Sequence, residues 1–205
     1  IPGAEIVRGP NIGAVPVGTP LPKSFAAQAT IKVGDKITTD HIMPAGARLK
    51  YRSNIPAYAK FVFEPLDPKF HDKAAANRDA GVANVIVAGE SYGQGSSREH
   101  AAMCPMYLGV RAVIAKSMER IHLANLVNFG IVPFTFVDPA GYDAIATGDA
   151  LAFDGIADAV AGSGEMVVRN TTTGATFKVK AALTERQKAI VLIGGLMQYI
   201  ASGRS

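Results

Sequence analysis

Ser96, Ser97 and Arg98 follow a run of glycines in Gly89-Glu90-Ser91-Tyr92-Gly93-Gln94-Gly95-Ser96-Ser97-Arg98-Glu99-His100. Two hydroxyls and a guanidinium beside glycine-freed backbone N–H groups make an anion-binding set. Arg98 can grip a carboxylate or phosphate through two parallel hydrogen bonds. Upstream, Asp40 and His41 are adjacent, and Arg52 lies twelve residues after Asp40. An Asp-His pair is either an acid–base couple or a local hydrogen-bonding device in a turn.

Other chemistries fit the same stretch less well. Gly89-Glu90-Ser91-Tyr92-Gly93 matches the G-x-S-x-G elbow of serine hydrolases, with Ser91 as nucleophile. That elbow needs a helix directly after its serine, and here Gly93-Gln94-Gly95 intervenes. The Walker and G-x-G-x-x-G phosphate motifs are absent. His71 reads as a solvated loop residue. His100 and His122 fall on expected helices, where packing or capping is the commoner role.

The elements that must position these groups can be read from the pattern. Val85 to Ala88 is a short apolar run bounded by glycine, hence a buried strand. Ser96-Ser97-Arg98-Glu99 matches a capping box, so a helix is expected to begin at Ser96 and to kink or end near Pro105. A second strand is expected over residues 110–115, an amphipathic helix over 119–129 and a third strand over 131–137. Such alternation argues for a parallel sheet with right-handed crossovers. The tail changes character, with an antiparallel hairpin over 165–179 and a capped final helix from Thr184, interrupted at Gly194-Gly195. Thr38 to Gly46 reads as a loop, and residues 53–83 as irregular.

Residues 1–27 interleave five prolines with glycines and read as an extended arm or interdomain linker, leaving 28–205 as the domain. The net charge of +4 is small and scattered, so neither a nucleic-acid patch nor a membrane surface is expected. A lone cysteine, Cys104, points to a reducing, cytoplasmic setting and leaves no set of cysteines for a metal or iron–sulfur site in this chain.

The loop from Gly89 through Ala102 resembles the active-site loop in the C-terminal swivel domain of the aconitases. The resemblance extends through Leu108 to Ser117, Arg120-Ile121-His122, Asn125-Leu126 and Gly130 to Phe136. Thr38-Thr39-Asp40-His41-Ile42 and Leu49-Lys50-Tyr51-Arg52 are similar to the family's second active-site segment. It implies a swivelling β/β/α domain, a parallel βα core beside a smaller antiparallel layer. The implied reaction is hydro-lyase interconversion of citrate and isocitrate through cis-aconitate, in the tricarboxylic acid cycle. Ser96 would be the base, with Asp40 and His41 in the catalytic set, and Arg52, Ser97 and Arg98 would hold carboxylates of a tricarboxylate substrate. Met43 stands where many aconitases carry serine. The family's four-iron–four-sulfur (4Fe-4S) cluster would belong to cluster-bearing aconitase domains or a large subunit. The alternative is the small subunit of isopropylmalate isomerase or homoaconitase, which shares the loop. A serine hydrolase using Ser91 is the remote one.

Overall fold

The computed structural model describes residues 3, 4, 7 and 9–204. Its centre is a closed seven-stranded sheet in a mixed α/β fold. Strands β1 (Phe25–Val33), β2 (Ala83–Ala88), β3 (Val110–Ala115) and β4 (Val132–Phe136) run parallel in that order. Strands β5 (Ala150–Phe153), β6 (Glu165–Asn170) and β7 (Thr176–Lys180) complete the circuit in antiparallel pairings, with β7 on β4 and β5 on β1. The antiparallel strands expected beside the parallel core join it in one closed sheet. Closure leaves no edge strand to cover.

The pleat explains how the strands bury themselves. All seven strands send alternate residues into one cluster, among them Ala29, Val85, Ile114, Phe134, Phe153, Val168 and Val179, which is the barrel interior. Strands β1, β2 and β3 also bury their outer face, and β4 does so at Pro133. Ile86, Ala88, Val113 and Ala115 pack there against Tyr58, Phe63, Phe70 and Cys104 from the crossover segments. Those segments include α1 (Thr39–Ile42), α2 (Ile55–Tyr58), α3 (Phe70–Asp79) and α4 (His100–Tyr107). Helix α5 (Arg120–Asn128) leads into β4, and α6 (Ile156–Ala161), α7 (Glu185–Ile193) and α8 (Leu196–Ala201) pack against the barrel.

Several expectations need correction. Residues 25–27, read as part of the proline-rich arm, are the first of β1, and Leu21 N–H bonds the Leu192 carbonyl at 3.0 Å. Residues 39–42, expected as loop, form the single helical turn α1. The stretch read as irregular contains α3, whose buried positions Phe70 and Ala74 are one turn apart. Helix α4 starts at His100, not Ser96, and its N-cap Glu99 makes no side-chain cap bond. Pro105 is accommodated within it. The Thr184 capping box is present, and Gly194, at φ +96°, ends α7 before α8.

Candidate active site

The catalytic candidates gather at the C-terminal ends of three neighbouring parallel strands, where α/β sheets place their ligands. The chain leaving β1 carries Thr39, Asp40 and His41, that leaving β2 carries Gly93 to Arg98, and that leaving β3 carries Ser117 to His122. Backbone bonds lace the three connections together. Gly93 and Gln94 N–H groups donate to the Ile37 carbonyl at 2.7 and 3.1 Å, and Thr39 N–H to the Gln94 carbonyl at 2.8 Å. On the other side, Tyr92 N–H donates to Ser117 and Glu119 N–H to Tyr92, at 3.0 and 2.9 Å. A side chain at Gly93 would force the ring or the loop to move, because a Cβ there would lie 2.3 Å from the His122 ring at φ +89°.

After Gln94 the lacing stops. Among the described residues, no backbone N–H from Gly95 to His100 has a protein acceptor. These donors lead into α4, whose first residue is His100, and Ser96 and Ser97 are exposed among them. Ser96 is held through its main chain, since Thr39 Oγ1 donates to its carbonyl at 2.9 Å. Its hydroxyl is thus free to act, and it caps no helix. Ser96 and Ser97 line a cavity of about 230 Å³ with Thr39, Arg120 and His122.

Arg98 turns to a partner of its own. It grips Asp40 through Nη1 to Oδ1 and through Nη2 to Oδ2 at 3.0 Å, and Nη1 also donates to the Met43 carbonyl at 3.2 Å. The guanidinium lowers the Asp40 pKa, so that carboxylate stays ionised. Three of the five guanidinium N–H donors are thereby used, leaving two. The Met43 side chain is fully buried, so this position offers the site only its carbonyl.

His41 does not pair with Asp40. Its Nδ1 accepts from Thr38 N–H at 3.1 Å while its own N–H donates to Thr38 Oγ1 at 3.3 Å, a capping box with histidine in the usual Glu/Gln place. Arg52 is exposed, and its guanidinium has no protein partner among the described residues. His100 donates through Nε2 to the Arg52 carbonyl at 3.0 Å, tying that turn to the start of α4. Sequence reasoning misses this tether and the Thr39 anchor, since neither contact leaves a local pattern.

Ser91 has φ +55°, but its N–H donates to Ser117 Oγ at 2.8 Å, and no histidine reaches it among the described residues. The hydrolase arrangement is not built here. Cys104 is buried and its thiol is pushed up to about 12 by desolvation. No three His, Cys, Asp or Glu side chains converge among the described residues. The groups present therefore do not fit an iron–sulfur cluster.

The family profile described as "Aconitase C-terminal domain" matches residues 28–139. The "Probable aconitate hydratase, mitochondrial" of Dictyostelium discoideum is 35% identical over 87% of this chain and 26% of its own length. The "3-isopropylmalate dehydratase small subunit 2" of Archaeoglobus fulgidus is 40% identical over 82% of this chain and 90% of its own. Among solved structures, the 3-isopropylmalate dehydratase of Methanocaldococcus jannaschii superposes with a TM-score of 0.68 at 30% identity, covering 88% of this chain and 95% of that one. The chain thus spans about a quarter of the length of the aconitate hydratases it matches.

Proposed function

The chain belongs to the aconitase C-terminal domain family, and from that premise we propose that it is the proton-transferring, carboxylate-binding half of a hydro-lyase site. The observation that carries this reading is Ser96, exposed and uncapping, amid six consecutive N–H donors without protein acceptors. A serine hydroxyl is too weak an acid to lose its proton unaided. Amide dipoles aimed at one oxygen, with a cation nearby, stabilise the alkoxide that takes a proton from substrate carbon. Arg98, locked by Asp40, is that fixed cation, and its two remaining donors suit a substrate carboxylate oxygen. Arg52, whose guanidinium has no protein partner among the described residues, offers a second planar clamp. Ser97 adds a hydroxyl contact to the bound carboxylates.

The substrate proposed is a hydroxy-tricarboxylate, interconverted as citrate and isocitrate through cis-aconitate. The higher identity and near-complete coverage of the Archaeoglobus small subunit favour a second reading, in which the substrate is an isopropylmalate. In both, the domain swivels as one body against a separate cluster-bearing domain or large subunit, and the 4Fe-4S cluster belongs to that partner. Assembly with such a partner and comparison of turnover on citrate and 3-isopropylmalate separates the two substrates. In the same assembly Ser96→Ala is expected to lower kcat by about 10²–10⁴-fold with substrate affinity kept. Undiminished turnover per folded molecule would remove Ser96 from the chemistry.

A further inference from the structure

His122 is a histidine that the serine-base reading does not use. It sits in the first turn of α5 and is 1% exposed, yet among the described residues neither ring nitrogen has a protein partner. The hydroxyl of Tyr92, whose ring meets the imidazole edge to face at 5.2 Å, is unpartnered too. Gly93 presses on the same ring. For packing alone this pocket would take a phenylalanine, because an imidazole always carries a polar N–H or lone pair on each nitrogen. Native structures pair nearly all such buried atoms, so each one left over calls for a partner beyond the protein or a functional reason. His122 also lines the cavity shared by Ser96 and Ser97.

We infer that His122 is a substrate-binding residue, the neutral hydrogen-bond donor that receives one carboxylate oxygen of the hydroxy acid entering this cavity. The inference rests on reading that cavity as the substrate site. The surroundings choose a carboxylate. The serine hydroxyls, the amide N–H groups of Gly95 to Ser97, Asn125 and Arg120 supply donors to the cavity, against the one carboxylate of Glu119 in its lining, and a bound carboxylate supplies up to four acceptor positions. Burial holds the imidazole pKa at about 4, so at neutral pH it gives a directed N–H without adding charge. Anion charge in this cavity is then met by Arg120, and His122 sets the orientation.

The test uses the chain assembled with its cluster-bearing partner, and propane-1,2,3-tricarboxylate as a probe with no hydroxyl to lose. His122→Phe keeps a ring against Gly93 and removes both nitrogens. It is expected to raise the probe's Kd about 10–100-fold, the loss of one charge-assisted hydrogen bond, with the melting temperature of the unliganded protein unchanged or higher. His122→Gln restores a donor and is expected to regain part of the affinity. In the unmutated protein the His122 ¹⁵N resonances are expected to move on adding the probe, a readout independent of how the variants fold. Unchanged Kd in His122→Phe, a lowered melting temperature with unchanged Kd, or ¹⁵N resonances that stay put would each overturn the inference. Ser96→Ala measured alongside keeps the two ideas apart, since normal turnover there defeats the serine base while the probe's Kd still decides His122. An unmutated protein that fails to bind the probe overturns the inference at its premise.

Discussion

The parallel and antiparallel parts of one barrel are built to different rules. Strands β2 and β3 are buried on both faces, whereas β6 and β7 alternate strictly between buried and exposed positions. The parallel part gathers three loop ends at one place, and all the candidate chemistry stands there. The antiparallel part closes the sheet and keeps one face for solvent. Their buried polar groups differ in the same sense. Asn170 and Asp149 satisfy each other at 2.7 Å, while His122 and Tyr92 have unpaired atoms. Within the parallel part Thr30 and Asn84 are also fully paired, so the unpaired polar atoms are confined to Tyr92 and His122 beside the candidate site.

A matched pair of glycines should break this contrast most visibly. Gly93 (φ +89°) lies against the His122 ring, and Gly174 (φ +81°) turns the β6–β7 hairpin with nothing within 4 Å of where a Cβ would stand. Gly174→Ala is expected to cost only the left-handed backbone strain, about 1–2 kcal/mol. Gly93→Ala adds a steric overlap that must displace the ring or the loop, for a loss of more than about 4 kcal/mol. Chemical denaturation of both variants reads the difference, and equal losses would refute close packing at Gly93.

Truncating strand residues sharpens the same point. Ile86→Ala, on the covered outer face of β2, is expected to cost about 2–5 kcal/mol. Val167→Ala, on the half-open face of β6, should stay within about 0.5 kcal/mol. Unfolding midpoints at constant m-value would measure both. A comparable loss at Val167 would mean that the antiparallel outer face is covered as well.

The pH dependence of stability separates the two parts again. His122 has its pKa lowered from the usual 6.5 to about 4 by burial. Between those values the unfolded chain binds a proton that the folded chain refuses, so this contribution is complete above pH 6.5 and lost as pH falls toward 4. The difference amounts to about 3 kcal/mol. His122→Phe should flatten that limb of the stability profile, leaving the carboxylate-linked fall at lower pH. An identical profile in the variant would place the imidazole in contact with water.

What the sequence discloses follows from how local each cause is. The run Val85–Ala88, the glycines and the hairpin about Asn170–Gly174 are short-range patterns, and each element stands where its pattern predicts. Helix α4 is expected four residues early because Ser96-Ser97-Arg98-Glu99 imitates a capping box, while Thr39 holds the Ser96 carbonyl and keeps that segment out of the helix. Barrel closure depends on β4 meeting β7 and β1 meeting β5 across more than a hundred residues of chain in the latter case, and alternation of residue type says nothing of which strand pairs with which. Helix α3 escapes the pattern because only Phe70 and Ala74 face the core. For His122, sequence position suggests burial correctly, but its missing partners are a three-dimensional fact.

The smallest expected effect is also the finest instrument, because the molecule carries the same device twice. Thr38 caps α1 in a box closed by His41, and Thr184 caps α7 in a box closed by Gln187. Removing either hydroxyl, Thr38→Ala or Thr184→Ala, is expected to cost about 0.5–2 kcal/mol of stability. Their consequences for turnover should nevertheless part. Helix α1 is a single turn that presents Asp40 to Arg98, so loosening it frees the guanidinium beside Ser96, whereas α7 carries none of the candidate residues. Thr38→Ala is therefore expected to lower kcat/KM severalfold in the assembled enzyme while Thr184→Ala leaves it unchanged. His41→Gln completes the comparison, because glutamine is the ordinary partner in such a box and already serves at residue 187. If His41 works through the cap, its glutamine variant keeps both stability and turnover. A collapse of kcat in His41→Gln with stability intact would instead give that imidazole a chemical role of its own beside Asp40.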